Sequence, residues 1–182
     1  MKQTSLPQNQ YPRTQQDHIN WIRLIRSRRV GPTTFHRLMR KHETVEACLN
    51  ELPQIAKQAG VNNYQLCPYD MAEGEFFEAQ HRGYRLLCYG APDYPALLAH
   101  IHDAPPLLWT KGNLKCLAKP TIALVGARNA SSLGRRMTHK VATDLAQAGY
   151  SVVSVLARGI DAAAHKGPVG KVRYFVDLSW RI

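Results

Sequence analysis

Residues 121–126 read Thr-Ile-Ala-Leu-Val-Gly, an unbroken apolar run with β-branched content. Such a run suits a strand buried on both faces of a parallel sheet. A polar loop follows, and then Met137, Val141, Leu145 and Ala148 recur at the spacing of one helix face. Gly149 closes that helix, and residues 150–156 form a second apolar run. Parallel neighbours need a long crossover, usually helical, so strand–loop–helix–strand is the opening of a Rossmann-like sheet. Ligands of such sheets bind beyond the carboxyl ends of the strands.

Two strand ends are therefore the places to search. The first presents Gly126-Ala127-Arg128-Asn129 and then Ser131-Ser132; the second presents Ala157-Arg158-Gly159-Ile160-Asp161. Both are glycine-bearing turns that lead into helices, and each sets one arginine near the anion-favouring end of a helix dipole. A small residue lets a backbone approach closely, and a guanidinium offers a planar fork to phosphate oxygens. Neither turn carries the glycine spacing of a dinucleotide site or the Lys of a P-loop, so no nicotinamide, nucleotide or other cofactor is expected. Asp161 and His165 stand four apart on the second helix, a pairing that invites acid–base chemistry. No nucleophile accompanies them, and the reading adopted is a capping Asp161 with a structural His165.

The first third of the chain has a different pattern. Trp21, Leu24 and Ile25, then Phe35, Leu38 and Met39, then Val45, Cys48 and Leu49 repeat at helical spacing over residues 18–60. Pro32 fits the first turn of the second helix, and Pro53 ends a short third one. Asp70-x-x-Glu73 resembles a capping box opening a fourth helix, with Phe76, Phe77 and Ala79 facing inward and Gly83 as its stop. The turn at Gly31-Pro32 resembles a helix-hairpin-helix, which would offer backbone N–H groups to a phosphate. Gly31, Arg29 and Arg37 are its candidate DNA contacts, with Arg26, Arg28, Arg40 and Lys41 nearby. Residues 84–89 and 107–109 read as short strands, with a helical turn around Leu97, Leu98 and Ile101 between them. The expected organisation is a polar tail (1–17), a helical domain (18–82) and a partial Rossmann-like domain (83–182): an α/β protein with a small all-helical domain in front.

Charge narrows the partners. Lys and Arg number 24 against 13 Asp and Glu, net +11. The excess sits at both ends, +6 over residues 1–60 and +6 over 121–182, around a middle of −1. Clustered basic residues displace counterions from phosphates, so nucleic acid is the expected partner. No run approaches a membrane span and no secretory h-region opens the chain. Cys48, Cys67, Cys88 and Cys116 lie 19 or more residues apart, without zinc spacing. Four such thiols fit a reduced cytoplasm.

Several motifs together carry a resemblance. Tyr94-Pro95-x-x-Leu98-x-x-Ile101-x-Asp103-Ala104-Pro105-Pro106-Leu107-Leu108, Lys111-Gly112, Val125-Gly126-Ala127-Arg128 and Leu156-Ala157-Arg158-Gly159-Ile160-Asp161-x-x-Ala164-His165 resemble, in order and approximate spacing, the DNA-processing protein A (DprA/Smf) family. The preceding helices are similar to its sterile-alpha-motif-like part. The resemblance covers about residues 18–167. It implies a cytosolic, non-enzymatic protein that binds single-stranded DNA, protects incoming DNA in natural transformation, helps load the RecA recombinase and acts as a homodimer. It implies a positive DNA pocket to which Arg128 contributes, with Gly126, Arg158 and Gly159 in the surrounding motif. The candidate DNA- and phosphate-binding set is Gly126, Arg128, Ser131, Arg158, Gly159 and Lys166.

Two departures stand out. The family has Ser-Gly where this chain has Ser154-Val155. After Lys166, Gly167-Pro168-Val169-Gly170 interrupts the helix, and a tail follows in which Val172, Tyr174 and Val176 alternate as in a replacement strand. A frameshifted or truncated product is the expectation from that tail, with one edge and face of the sheet uncovered and the family's dimer surface missing, so that dimerisation is lost. The alternatives are a non-functional remnant, or a nucleotide phosphoribohydrolase of the lysine-decarboxylase-like type, whose PGGxGTxxE motif is absent here.

Overall fold

The computed structural model describes residues 11–155, 157–166 and, as backbone, 175–177. Contacts divide the chain into two units, Met1–Thr110 with Val176–Ile182, and Lys111–Phe175.

In the first unit α1 spans Gln15–Arg26 and starts from a capping box: Thr14 Oγ1 accepts from Asp17 N–H, and the Asp17 carboxylate accepts from Thr14 N–H. Residues 1–10 of the expected polar tail lie outside the described residues. The buried stripe of α1 is Ile19, Trp21, Ile22 and Leu24; Ile25 is only half-buried. α2 (Pro32–Lys41) has Pro32 in its first turn and buries Phe35, His36, Leu38 and Met39. Trp21 and Phe35 pack with ring centroids 4.9 Å apart. α3 (Val45–Gln58) does not end at Pro53, which lies inside the helix. An interior proline costs about 3 kcal/mol; burial of Leu52 and Ala56 on either side of it offsets that cost.

α4 (Tyr69–His81) begins one residue before Asp70 and has no side-chain cap, so the expected Asp70–Glu73 box is absent. Phe76 is buried and Phe77 is 46% exposed, because adjacent residues point about 100° apart on a helix. Gly83, at φ 77°, closes α4: its N–H bonds to Gln80 O and Tyr84 N–H bonds to Ala79 O. β1 (Arg85–Cys88) pairs antiparallel with β2 (Leu107–Lys111), Leu87 opposite Leu108, and the helical turn α5 (Ala96–Ala99) lies between them in sequence. Trp109 joins Ile19, Ile22, Cys67, Ala72, Phe76 and Ala79 in one buried cluster. The pattern changes from helix to strand near residue 83, and the contacts of β1 and β2 keep both with the helices.

A polar network crosses this core. Glu75, 5% exposed, takes both forks of Arg26 at 2.8 and 2.9 Å and the indole N–H of Trp109 at 2.9 Å. His36 Nε2–H donates to Ala104 O at 2.7 Å, its ring lies 4.6 Å from that of Tyr89, and burial holds its pKa below the usual imidazole value. All four cysteines are free and buried, and burial pushes the Cys48 thiol up to about 11.

In the second unit a 3-10 turn (Leu114–Ala118) leads to β3 (Thr121–Ala123), α6 (Ser132–Gln147), β4 (Ser151–Val153) and α7 (Ile160–Lys166). β3 and β4 are parallel, Ile122 opposite Val152, as the crossover requires. β3 is shorter than expected and is not buried on both faces: Thr121 and Ala123 are exposed and Val125 is 71% exposed. Burial on both faces needs strand and helix neighbours that this two-stranded sheet lacks among the described residues. The expected inner face of α6 is also corrected. Ala142 is buried, with Gly134, Thr138 and Leu145 half-buried in line with it, while Met137 and Val141 are 54% and 40% exposed. α7 is described to Lys166, so the Pro168 break lies outside the described residues. Of the expected tail strand, Phe175–Asp177 is described as β5, the third strand of the β1-β2-β5 sheet.

Candidate nucleic-acid interface

The two strand-end turns lock into each other. Ile160 N–H donates to Ala127 O at 3.2 Å. Gly159 sits at φ 90°, and a Cβ there would stand 2.3 Å from Ala127 O and 2.5 Å from Arg128 O. A Cβ on Gly126 would stand 2.7 Å from the Ile160 side chain. Both positions therefore require glycine: Gly159 by conformation and space, Gly126 by space. The result sets the backbone of Arg158-Gly159 against that of Ala127-Arg128, at the starts of α7 and α6. Both arginine side chains are exposed, and neither pairs with a carboxylate among the described residues.

Ser131 is the cap of α6, its Oγ accepting from Gly134 N–H at 3.0 Å. That leaves the N–H groups of Ser132 and Leu133 without a helical partner. At α7 the first N–H is used on Ala127 O, so the helix start there is closed by the protein itself. Asp161 is not the cap of α7. It lies inside the first turn, 3% exposed, with Oδ1 unpartnered. His165 is exposed and bonds Ser154 O, so the two do not form a catalytic pair. Lys166 is exposed at the far end of α7, away from the turns by the length of the helix.

The hairpin in the first unit differs from expectation. Gly31 caps α2 in an extended conformation (φ −102°, ψ −179°) with open space around it, and the left-handed residue of the turn is Arg29 (φ 62°). Arg29 and Arg37 are exposed. Arg26 is taken up by Glu75, Arg40 Nε donates to His36 O and Lys41 pairs with Glu51.

One feature escaped the sequence reading. A cavity of about 440 Å³ opens between α6 and α7, lined by Arg135, Arg136, His139, Ala163 and Lys166. Its signal was the Arg135-Arg136 pair early in a helix whose first turn has no acidic residue. No group of three or more His, Cys, Asp or Glu among the described residues could hold a metal ion. No described helix is long and apolar enough to cross a membrane.

Residues 85–175 match the family model of DNA recombination-mediator protein A. The chain belongs to that family. Residues 15–77 match the DprA-like N-terminal HHH domain. Protein Smf of Synechocystis sp. is 32% identical over 161 residues, 80% of this chain and 39% of that protein. DNA processing protein DprA of Streptococcus pneumoniae is 47% identical over 72 residues, 40% of this chain and 25% of that protein. The X-ray structure of the Streptococcus pneumoniae protein aligns at TM-score 0.45 and 28% identity, covering 77% of this chain and 54% of that one. A Helicobacter pylori DNA processing protein A, known for its single-stranded DNA binding mode, aligns at TM-score 0.43 and 28% identity, covering 48% of this chain and 40% of that one. The chain thus spans well under half the length of these two curated relatives.

Proposed function

We propose that this chain binds single-stranded DNA by its sugar-phosphate backbone, without chemistry on it. Family membership gives the class of process, DNA processing and recombination. The observation that supports the reading is the interlock of Gly126 and Gly159, which brings the backbone of Arg158-Gly159 against that of Ala127-Arg128, in the turns that lead into α7 and α6. Two unpaired guanidinium groups beside free helix N–H groups suit phosphate oxygens. A single strand suits such a site better than duplex because its phosphates follow a flexible path and its bases can stack on neighbouring side chains. Ser131 contributes as the cap that holds the α6 start open. The helical region, residues 18–82, adds a second contact through Arg29, Gly31 and Arg37. Protection of incoming DNA, handover to the RecA recombinase and a cytoplasmic location complete the reading.

Fluorescence anisotropy with a labelled single strand and with the matching duplex, at two salt concentrations, tests it. The expected result is preference for the single strand and weaker binding at higher salt. Equal affinity for duplex, or binding that ignores salt, would overturn it. Nucleation of recombinase filaments on DNA already coated by this protein tests the handover.

A further inference from the structure

We propose that the cleft between α6 and α7 is a second phosphate seat, which takes the backbone of a single strand at a place separate from the strand-end turns. The inference rests on the single-strand reading above and extends it to Arg135, Arg136 and His139, with Lys166 as the fourth wall.

The lining is the first support. Arg135, Arg136, His139 and Lys166 face one cavity of about 440 Å³, and no carboxylate among the described residues lines it. All four side chains are exposed, and none is ion-paired among the described residues. The next cation along the same helix is different: Lys140 pairs with Asp144 at 3.0 Å. α6 thus neutralises a lysine where a carboxylate stands one turn away and leaves its two arginines bare on the cleft side.

Position is the second support. The arginines stand just inside the N-terminus of α6, and the first turn there contains no acidic residue. The positive end of the helix dipole adds to their charge, so two guanidinium groups there repel both each other and the helix end. A bound anion removes that repulsion. Lys166, in the last turn of α7, sits where the dipole favours a cation and needs no such partner. Size is the third support. The cavity is large for a lone ion and falls in the range of sites that hold small molecules, and Ala163, 7% exposed, leaves an uncharged floor. A stretch of sugar-phosphate backbone fits such a space, with planar forks on its oxygens.

The test compares the wild-type chain, Arg128→Ala, and the triple variant Arg135→Ala/Arg136→Ala/Lys166→Ala, with folding checked by circular dichroism. Binding is read by anisotropy against oligothymidylates of about 4 and about 20 nucleotides, spanning the usual site sizes, over a salt series. The triple variant should lose on the order of 10- to 100-fold in affinity for the long strand and little for the short one. Its plot of log affinity against log salt should be shallower by about 2, from about 0.7 per phosphate contact on a single strand. If the triple variant keeps wild-type affinity and slope while Arg128→Ala weakens binding, the cleft is not a seat and the turns act alone. Equal losses on both lengths would make cleft and turns one site and overturn the separation. If the wild-type chain binds no single strand at any salt, the underlying reading falls and this inference with it. Displacement of the short strand by pyrophosphate in the triple variant, as in wild type, is expected, since the turns remain intact.

Discussion

The two units bury their apolar residues very differently. In the first, Phe35, Ile19, Ile22, Leu24, Met39, Leu87 and Leu108 are all under 2% exposed. In the second, the described buried hydrophobic residues are Cys116, Ala142, Ala163 and Ala164, while Val125, Leu133, Met137, Val141, Val153 and Val155 are 40% exposed or more. The first unit is held by bulk packing around an ion-paired Glu75. The second is held by close backbone approach: small residues on α6 and α7, and two glycines that let the strand-end turns meet. Bulk packing gives stability, whereas the glycine interlock gives position to a pair of arginines. Stability and binding should therefore separate by unit under mutation.

The largest effect expected is on the packed side. Phe35→Ala should destabilise by about 3–5 kcal/mol, as large core truncations do, against less than about 0.5 kcal/mol for Val153→Ala, which is 48% exposed. Urea unfolding followed by Trp21 fluorescence measures the first, and hydrogen exchange of β3 and β4 the second. Equal costs would mean that the units share one core.

Gly159→Ala should cost about 2–4 kcal/mol in the second unit, since it combines a positive φ with a clash against Ala127 O and Arg128 O. DNA affinity should fall with it, while the first unit keeps its unfolding midpoint. Gly31→Ala is the matching control: the backbone there is extended and the space open, so stability should change little.

Arg128→Ala should weaken single-strand binding by about 1–3 kcal/mol, the scale of a charge-assisted contact, and leave thermal unfolding unchanged because the side chain is exposed. Unfolding of the variant with undiminished affinity per folded molecule would make Arg128 structural.

The smallest effect expected belongs to His36. Its pKa is held below the usual 6.5, chiefly by burial. The unfolded chain then binds the proton more readily, so the stability it contributes is present in full above pH 6.5 and is lost as pH falls through the lower folded value. His36→Gln should flatten that dependence in the first unit. A stability that rises on acidification would contradict the assignment.

Several landmarks were legible because local chemistry alone dictates them. Gly83 and Gly149 end α4 and α6 with the same pair of backbone bonds, which only a left-handed residue after the helix can make. Pro32 begins α2 because its missing N–H has no role there. The crossover between β3 and β4 followed from the order of the runs. Other readings failed where a neighbour decides. Pro53 is a helix breaker in isolation, yet α3 continues through it because the residues around it are buried. Asp70-x-x-Glu73 has the letters of a capping box, but the helix starts one residue too early for it, whereas Thr14 and Asp17, without the Glu or Gln of the usual pattern, do form one.

The sequence by itself determined the order of elements, the basic character of both ends and the two glycine turns, since periodicity, charge and φ preference are properties of short stretches. Only the tertiary structure decided which stripe of α6 turns inward and which cations remain unpaired. Met137, Val141 and Leu145 form as good a helical stripe as Gly134, Thr138, Ala142 and Leu145. The latter is covered because its small residues let α7 approach closely, and that choice leaves Arg135 and Arg136 on the cleft.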